Sequence, residues 1–86
     1  MSIESEPDPI LRVTVGMPIY TDDGQKIGAV KEVLVNAFKV GTPLLQRDYW
    51  LAADTIKSAT PGEAVMLAID KAHLGQRKLK ERPAAA

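Results

Sequence analysis

Turn signals cut residues 12–70 into short runs, and this punctuation constrains the fold more than any other feature of the chain. Asp23-Gly24, Gly41-Thr42-Pro43 and Thr60-Pro61-Gly62 each fall between runs rich in Val, Ile, Tyr or Trp. Asp-Gly supplies the positive φ that a tight hairpin needs, and Pro-Gly fixes one turn position while freeing the next. The runs alternate with period two. Val13, Val15, Met17 and Ile19 share one face, and Thr14, Gly16, Pro18 and Tyr20 the other. About six such strands predict an all-β fold, a small antiparallel barrel, because closing the sheet removes the exposed edges a flat sheet leaves.

Along the chain, residues 1–11 hold Pro7, Pro9 and three acids with little to bury, and read as a flexible arm before a domain spanning 12–70. Pro18 lacks a ladder donor and belongs on an edge or at a bulge. The return strand over 26–35 changes phase at Gly28, which marks a bulge or bend. Asn36-Ala37 is a second turn, with a short strand over 38–40. Leu44-Leu45 is an apolar connection, and strands follow over 48–53, 56–59 and 63–69. In the last of these, Val65, Leu67 and Ile69 face inward, yet Ala64, Met66 and Ala68 make the opposite face apolar too. Asp70 is placed to cap a short basic helix over 71–82, before a frayed end at 83–86.

Composition narrows the function classes. Eleven Lys+Arg balance eleven Asp+Glu, which excludes a bulk polycation and an acidic tail protein alike. Charge is nevertheless polarised: residues 71–82 hold five bases and one acid, +4, against −2 over 1–12 and −2 over 13–70. Without cysteine there is no thiolate nucleophile and no Cys-based metal site. No apolar run reaches the 18 or so residues of a spanning helix, and the acidic N-terminal stretch does not read as a signal peptide. The expectation is a cytoplasmic protein with no membrane insertion.

Gly16-Met17-Pro18-Ile19-Tyr20, the turn Asp23-Gly24 and Lys26-Ile27-Gly28-Ala29-Val30 resemble the PRC-barrel family. The likeness continues through Tyr49-Trp50-Leu51, residues 53–56 and Val65-Met66-Leu67, with Ala52 standing where many relatives carry proline. The family includes the cytoplasmic barrel of the photosynthetic reaction-centre H subunit and the C-terminal barrel of the ribosome maturation factor. The resemblance implies a barrel of about six strands, acting as an adaptor or assembly module and not as an enzyme. Gly16, Tyr20, Asp23, Gly24, Gly28 and Trp50 are its structural motif residues.

Candidate sites follow from residue chemistry. Asp22-Asp23-Gly24 lacks the further ligands of a calcium loop, and the glycines do not form a phosphate loop. His73 is the lone histidine and is expected exposed, so no metal site and no cofactor are predicted. Ser58, His73 and Asp54, or the acids Asp48 and Asp54, are too generic to imply catalysis. Trp50 and Tyr20 are expected in the core, with alternation sending one of Tyr49 and Trp50 outward. The predicted function is a non-enzymatic protein-interaction module, self-associating as a homo-oligomer or docking on a larger complex. Its expected interface is Leu44, Leu45, Tyr49, Ala64, Met66 and Ala68. The alternative is a barrel that contacts RNA, and not DNA, through Arg47, Arg77, Lys78, Lys80 and Arg82.

Overall fold

The computed structural model describes residues 9–42 and 47–83, and within them six strands form one sheet. These are β1 (Pro18–Tyr20), β2 (Lys26–Val33), β3 (Ala37–Gly41), β4 (Tyr49–Ala52), β5 (Ile56–Thr60) and β6 (Ala64–Leu67). A 3-10 turn at Pro9–Arg12 precedes them, another at Ala53–Thr55 joins β4 to β5, and a short helix, α1 (Lys71–Leu74), follows.

The turn residues act as their chemistry dictates. Gly24, at φ +83°, closes the β1–β2 hairpin and donates its N–H to the Thr21 carbonyl at 2.9 Å. Thr21 is fully buried, its hydroxyl donating to the Asp23 carboxylate and accepting from the Gln25 N–H. Gly62, at φ +78°, turns β5 into β6. The phase change at Gly28 is a bulge: Ile19 pairs with Gly28 and Tyr20 with Lys26, so Ile27 is the extra residue. Gly28 takes φ +154°, and a Cβ there would lie 2.4 Å from the Gly41 carbonyl oxygen. Only hydrogen fits between these two backbones.

Strand order is β4-β3-β2-β1-β6-β5. β1 to β4 form an antiparallel meander and β5–β6 a hairpin. β1, however, runs parallel to β6, so the sheet is mixed where an all-antiparallel one was expected. Parallel neighbours cannot come from a tight turn, and here the whole path through β2–β5 separates them.

The predicted barrel is also left unclosed. β4 and β5 are the two edges, and among the described residues no ladder joins them. Yet only Ala53–Thr55 connects them. A flat sheet of this size would hold its edges about 24 Å apart, whereas the backbone from Ala52 to Ile56 spans at most about 14 Å. The sheet must therefore curl until one end of each edge comes together. Terminal segments lie against both outer strands. Leu79 pairs with Trp50 on the free side of β4, through hydrogen bonds of 2.8 and 2.9 Å, and Pro9–Arg12 packs along β5.

Inside the curl, Ile19, Val30, Phe38, Val40, Leu51, Val65 and Leu67 are each no more than 2% exposed. Ile10, Met17 and Leu74 extend that core beyond the strands. Several sequence-based boundaries shift. Gly16, at φ +99°, turns the chain before β1, so Val13 and Val15 leave the strand and Val15 is 67% exposed. Ile10 is buried, so the domain begins within the stretch 1–11 expected as an arm; residues 1–8 lie outside the described part. Pro18 starts an inner strand, where a missing donor is also tolerated. Asp70 does cap α1, accepting from the His73 N–H at 2.9 Å, but the helix expected over 71–82 ends at Leu74. Gly75 keeps helical backbone and turns continue to Arg77, whose N–H reaches the Leu74 carbonyl, before pairing with Trp50 draws Leu79 away from the helix. Of the end expected to fray, Pro83 is half-buried and residues 84–86 lie outside the described part.

Gly28→Ala should destabilise the domain by about 2 kcal/mol or more, because strain at this φ adds to a backbone clash. Gly75→Ala, in helical backbone with open space around it, should be neutral or stabilise by about 0.5 kcal/mol. Urea unfolding of the two variants beside the native chain measures both.

Candidate interaction surfaces

The register of β1 against β6 builds the first surface. Ile19 pairs with Val65, both fully buried, so alternation sends the next pair, Tyr20 and Met66, to the outer face. Met66 also lies opposite Ser58, and Ala64 opposite Thr60. Tyr20, Ala64 and Met66 are half-buried and Ala68 is exposed, so these residues offer apolar surface on the side the core does not use. Leu44 and Leu45 lie outside the described residues.

Tyr49 does not belong to that surface. It is 7% exposed and part of the core, and burial pushes its phenol above the ordinary tyrosine range. Trp50 takes the opposite face of β4 but is covered as well, at 5% exposed. Its cross-strand partner Lys39 holds an ammonium 5.9 Å from the indole centroid. The expectation that one of these rings is exposed therefore fails, because the strand is covered on both faces. Tyr20, expected in the core, is the ring on the outer face; Tyr49 and Phe38 are the core aromatics.

The basic residues divide in two. Arg77 pairs with Asp54 at 2.8 Å and Arg82 with Glu32 at 3.8 Å, so both are drawn to the domain's own acids. Arg47, Lys78 and Lys80, distant in sequence, line one cleft of about 480 Å³ with Asp48, Tyr49 and Gly75. Lys78 places its ammonium 4.5 Å from the Tyr49 ring centroid. Asp48 is the acid in this cleft, and its charge is already met. The Lys31 ammonium, at 2.8 Å, holds its carboxyl below the usual range, helped by the Thr42 N–H at 3.1 Å. A smaller cleft of about 140 Å³ shares Tyr49 and Lys78 and adds Lys26 and Lys71, two cations that sequence spacing did not single out.

The generic catalytic candidates have separate partners. His73 is exposed and its Nδ1 meets the Asp70 carboxylate, which the ring contact and then the His73 N–H hold below the usual range. Asp54 instead meets Arg77. Among the described residues, no group of three or more His, Cys, Asp or Glu is arranged to hold a metal ion, and no helix is long and apolar enough to cross a membrane.

Family comparison bears on the sheet just described. The PRC-barrel domain model matches residues 14–40. The family resemblance therefore stands. The match covers β1, β2 and β3 as far as Val40, and so contains the Gly16–Val30 motif, the Gly24 turn and the Gly28 bulge. Comparisons with curated proteins and with solved structures give no significant match.

Acid should loosen the join between Asp48 and β2. A carboxyl whose folded pKa is depressed stabilises the fold above its unfolded value of about 3.9, and that contribution disappears as pH falls through the lower folded value. Thermal unfolding between pH 6 and 2 should therefore show a steeper acid decline for the native chain than for Asp48→Asn. Equal slopes would mean that the Lys31–Asp48 contact does not persist in solution.

Proposed function

We propose that the chain is a non-enzymatic interaction module of PRC-barrel type, associating through the outer face of β1 and β6 with a second copy or a larger assembly. The register that places Tyr20 beside Met66, away from the core, carries this reading. Half-covered apolar side chains on a sheet face gain most from a partner, since removing such area from water contributes about 25 cal/mol per Å². The reading is of a cytoplasmic protein that needs no cofactor.

An RNA-associated barrel is the second reading, and the convergence of Arg47, Lys78 and Lys80 favours it. Its support is reduced because Arg77 and Arg82 are spent on internal ion pairs.

Met66→Glu tests the first reading, because it sets a charge in the middle of the strip. Sedimentation velocity should give an oligomer for the native chain and a monomer for the variant, with the same strand-rich circular dichroism. A native chain that stays monomeric through the micromolar range, and captures the same lysate proteins with or without the substitution, removes this surface from consideration.

A further inference from the structure

The formal charge of zero conceals a strongly local distribution. Lys31, Lys57, Arg77 and Arg82 each pair with a carboxylate. Seven bases have no ion pair among the described residues. Five of them, Lys26, Arg47, Lys71, Lys78 and Lys80, line the two adjoining clefts that share Tyr49 and Lys78, leaving Arg12 and Lys39 outside. The acid in the larger cleft, Asp48, is offset by Lys31 from outside it. The balance there is positive.

We infer that these clefts form a binding site for a compact polyphosphate group, carried by a nucleotide or free in solution. Three observations support a site over a merely basic surface. Leu79 is pinned to Trp50 by two backbone hydrogen bonds, which anchors the segment whose Lys78 and Lys80 both line the larger cleft. Lys78 is further held by its contact with the Tyr49 ring, which reduces the side-chain freedom lost when an anion binds. The larger cleft, at about 480 Å³, is of small-ligand size. Arg47 offers a planar fork for two phosphate oxygens, and the lysines supply point charges around it. Cations spread over two adjoining clefts suit several linked phosphates better than one carboxylate. The clefts are partly open, and their small extent favours a compact ligand over an extended strand.

Isothermal titration calorimetry with inorganic tripolyphosphate at near-physiological salt provides the test. The native chain should bind, and Lys80→Glu and Arg47→Glu should each weaken binding by about tenfold or more. Arg82→Glu, on a residue whose guanidinium is directed to Glu32 and is absent from the cleft linings, should change it by less than about threefold. All three residues are exposed, and unchanged thermal unfolding would show that the variants remain folded. A nucleoside triphosphate run in parallel identifies the source: tighter binding than tripolyphosphate indicates a nucleotide and equal binding the free anion, and both support the site. No binding at millimolar tripolyphosphate overturns the proposal, as does an equal loss in Arg82→Glu. A single-stranded RNA that binds but is not displaced by tripolyphosphate would overturn it too, by showing an extended contact surface.

Discussion

The three-residue connection Ala53–Thr55 constrains everything else in this fold. It ties together the two strands that stand at opposite edges of the sheet, so the sheet has no option but to curl. Curling encloses Ile19, Phe38, Leu51, Val65 and Leu67, and gives a short chain a core that a flat sheet would leave half in water. The bulge at Gly28 serves the same bend, and its close approach to the Gly41 carbonyl leaves no room for a side chain. Leu79 then pairs with the free side of β4, and the Pro9–Arg12 turn packs against β5.

The covering of β4 has an electrostatic consequence. Because Leu79 must sit beside Trp50, the basic residues around it are held against the sheet. Arg77 and Arg82 reach acids of the domain, whereas Lys78 and Lys80 line a cleft with Arg47 and Tyr49. A segment with one overall sign thus separates into a structural set and an available set. The acids within reach make the division, Asp54 for Arg77 and Glu32 for Arg82, since all four side chains carry the same charge. The half-covered apolar outer face of β1 and β6 and the cationic clefts beside β4 are consequently built by different parts of the sheet.

Much of the local structure was legible in the sequence. Asp23-Gly24 and Pro61-Gly62 form turns, Gly28 forms a bulge and Asp70 forms a cap, because each depends on the conformational or hydrogen-bonding properties of one or two residues. The inward facing of Val65 and Leu67 follows from alternation alone. The candidate site was legible only in part. Arg47, Lys78 and Lys80 stand out as bases, but nothing in their spacing indicates that they meet, or that Lys26 and Lys71 lie alongside. The helix expected over 71–82 failed for a related reason. Helical turns reach Arg77, and beyond it the two hydrogen bonds offered by a distant edge strand decide the backbone at Leu79.

By itself the sequence determined the strand-rich class, the turn positions and the family likeness confirmed over residues 14–40. These are short-range properties, set by backbone preferences within a few residues. Only the tertiary structure decided that β1 runs parallel to β6, that the sheet curls without closing, and that both rings of Tyr49-Trp50 are covered. It also decided which bases are paired and which remain available. Each of these depends on segments tens of residues apart competing for the same edge, face or charge, and no local pattern records the outcome of that competition.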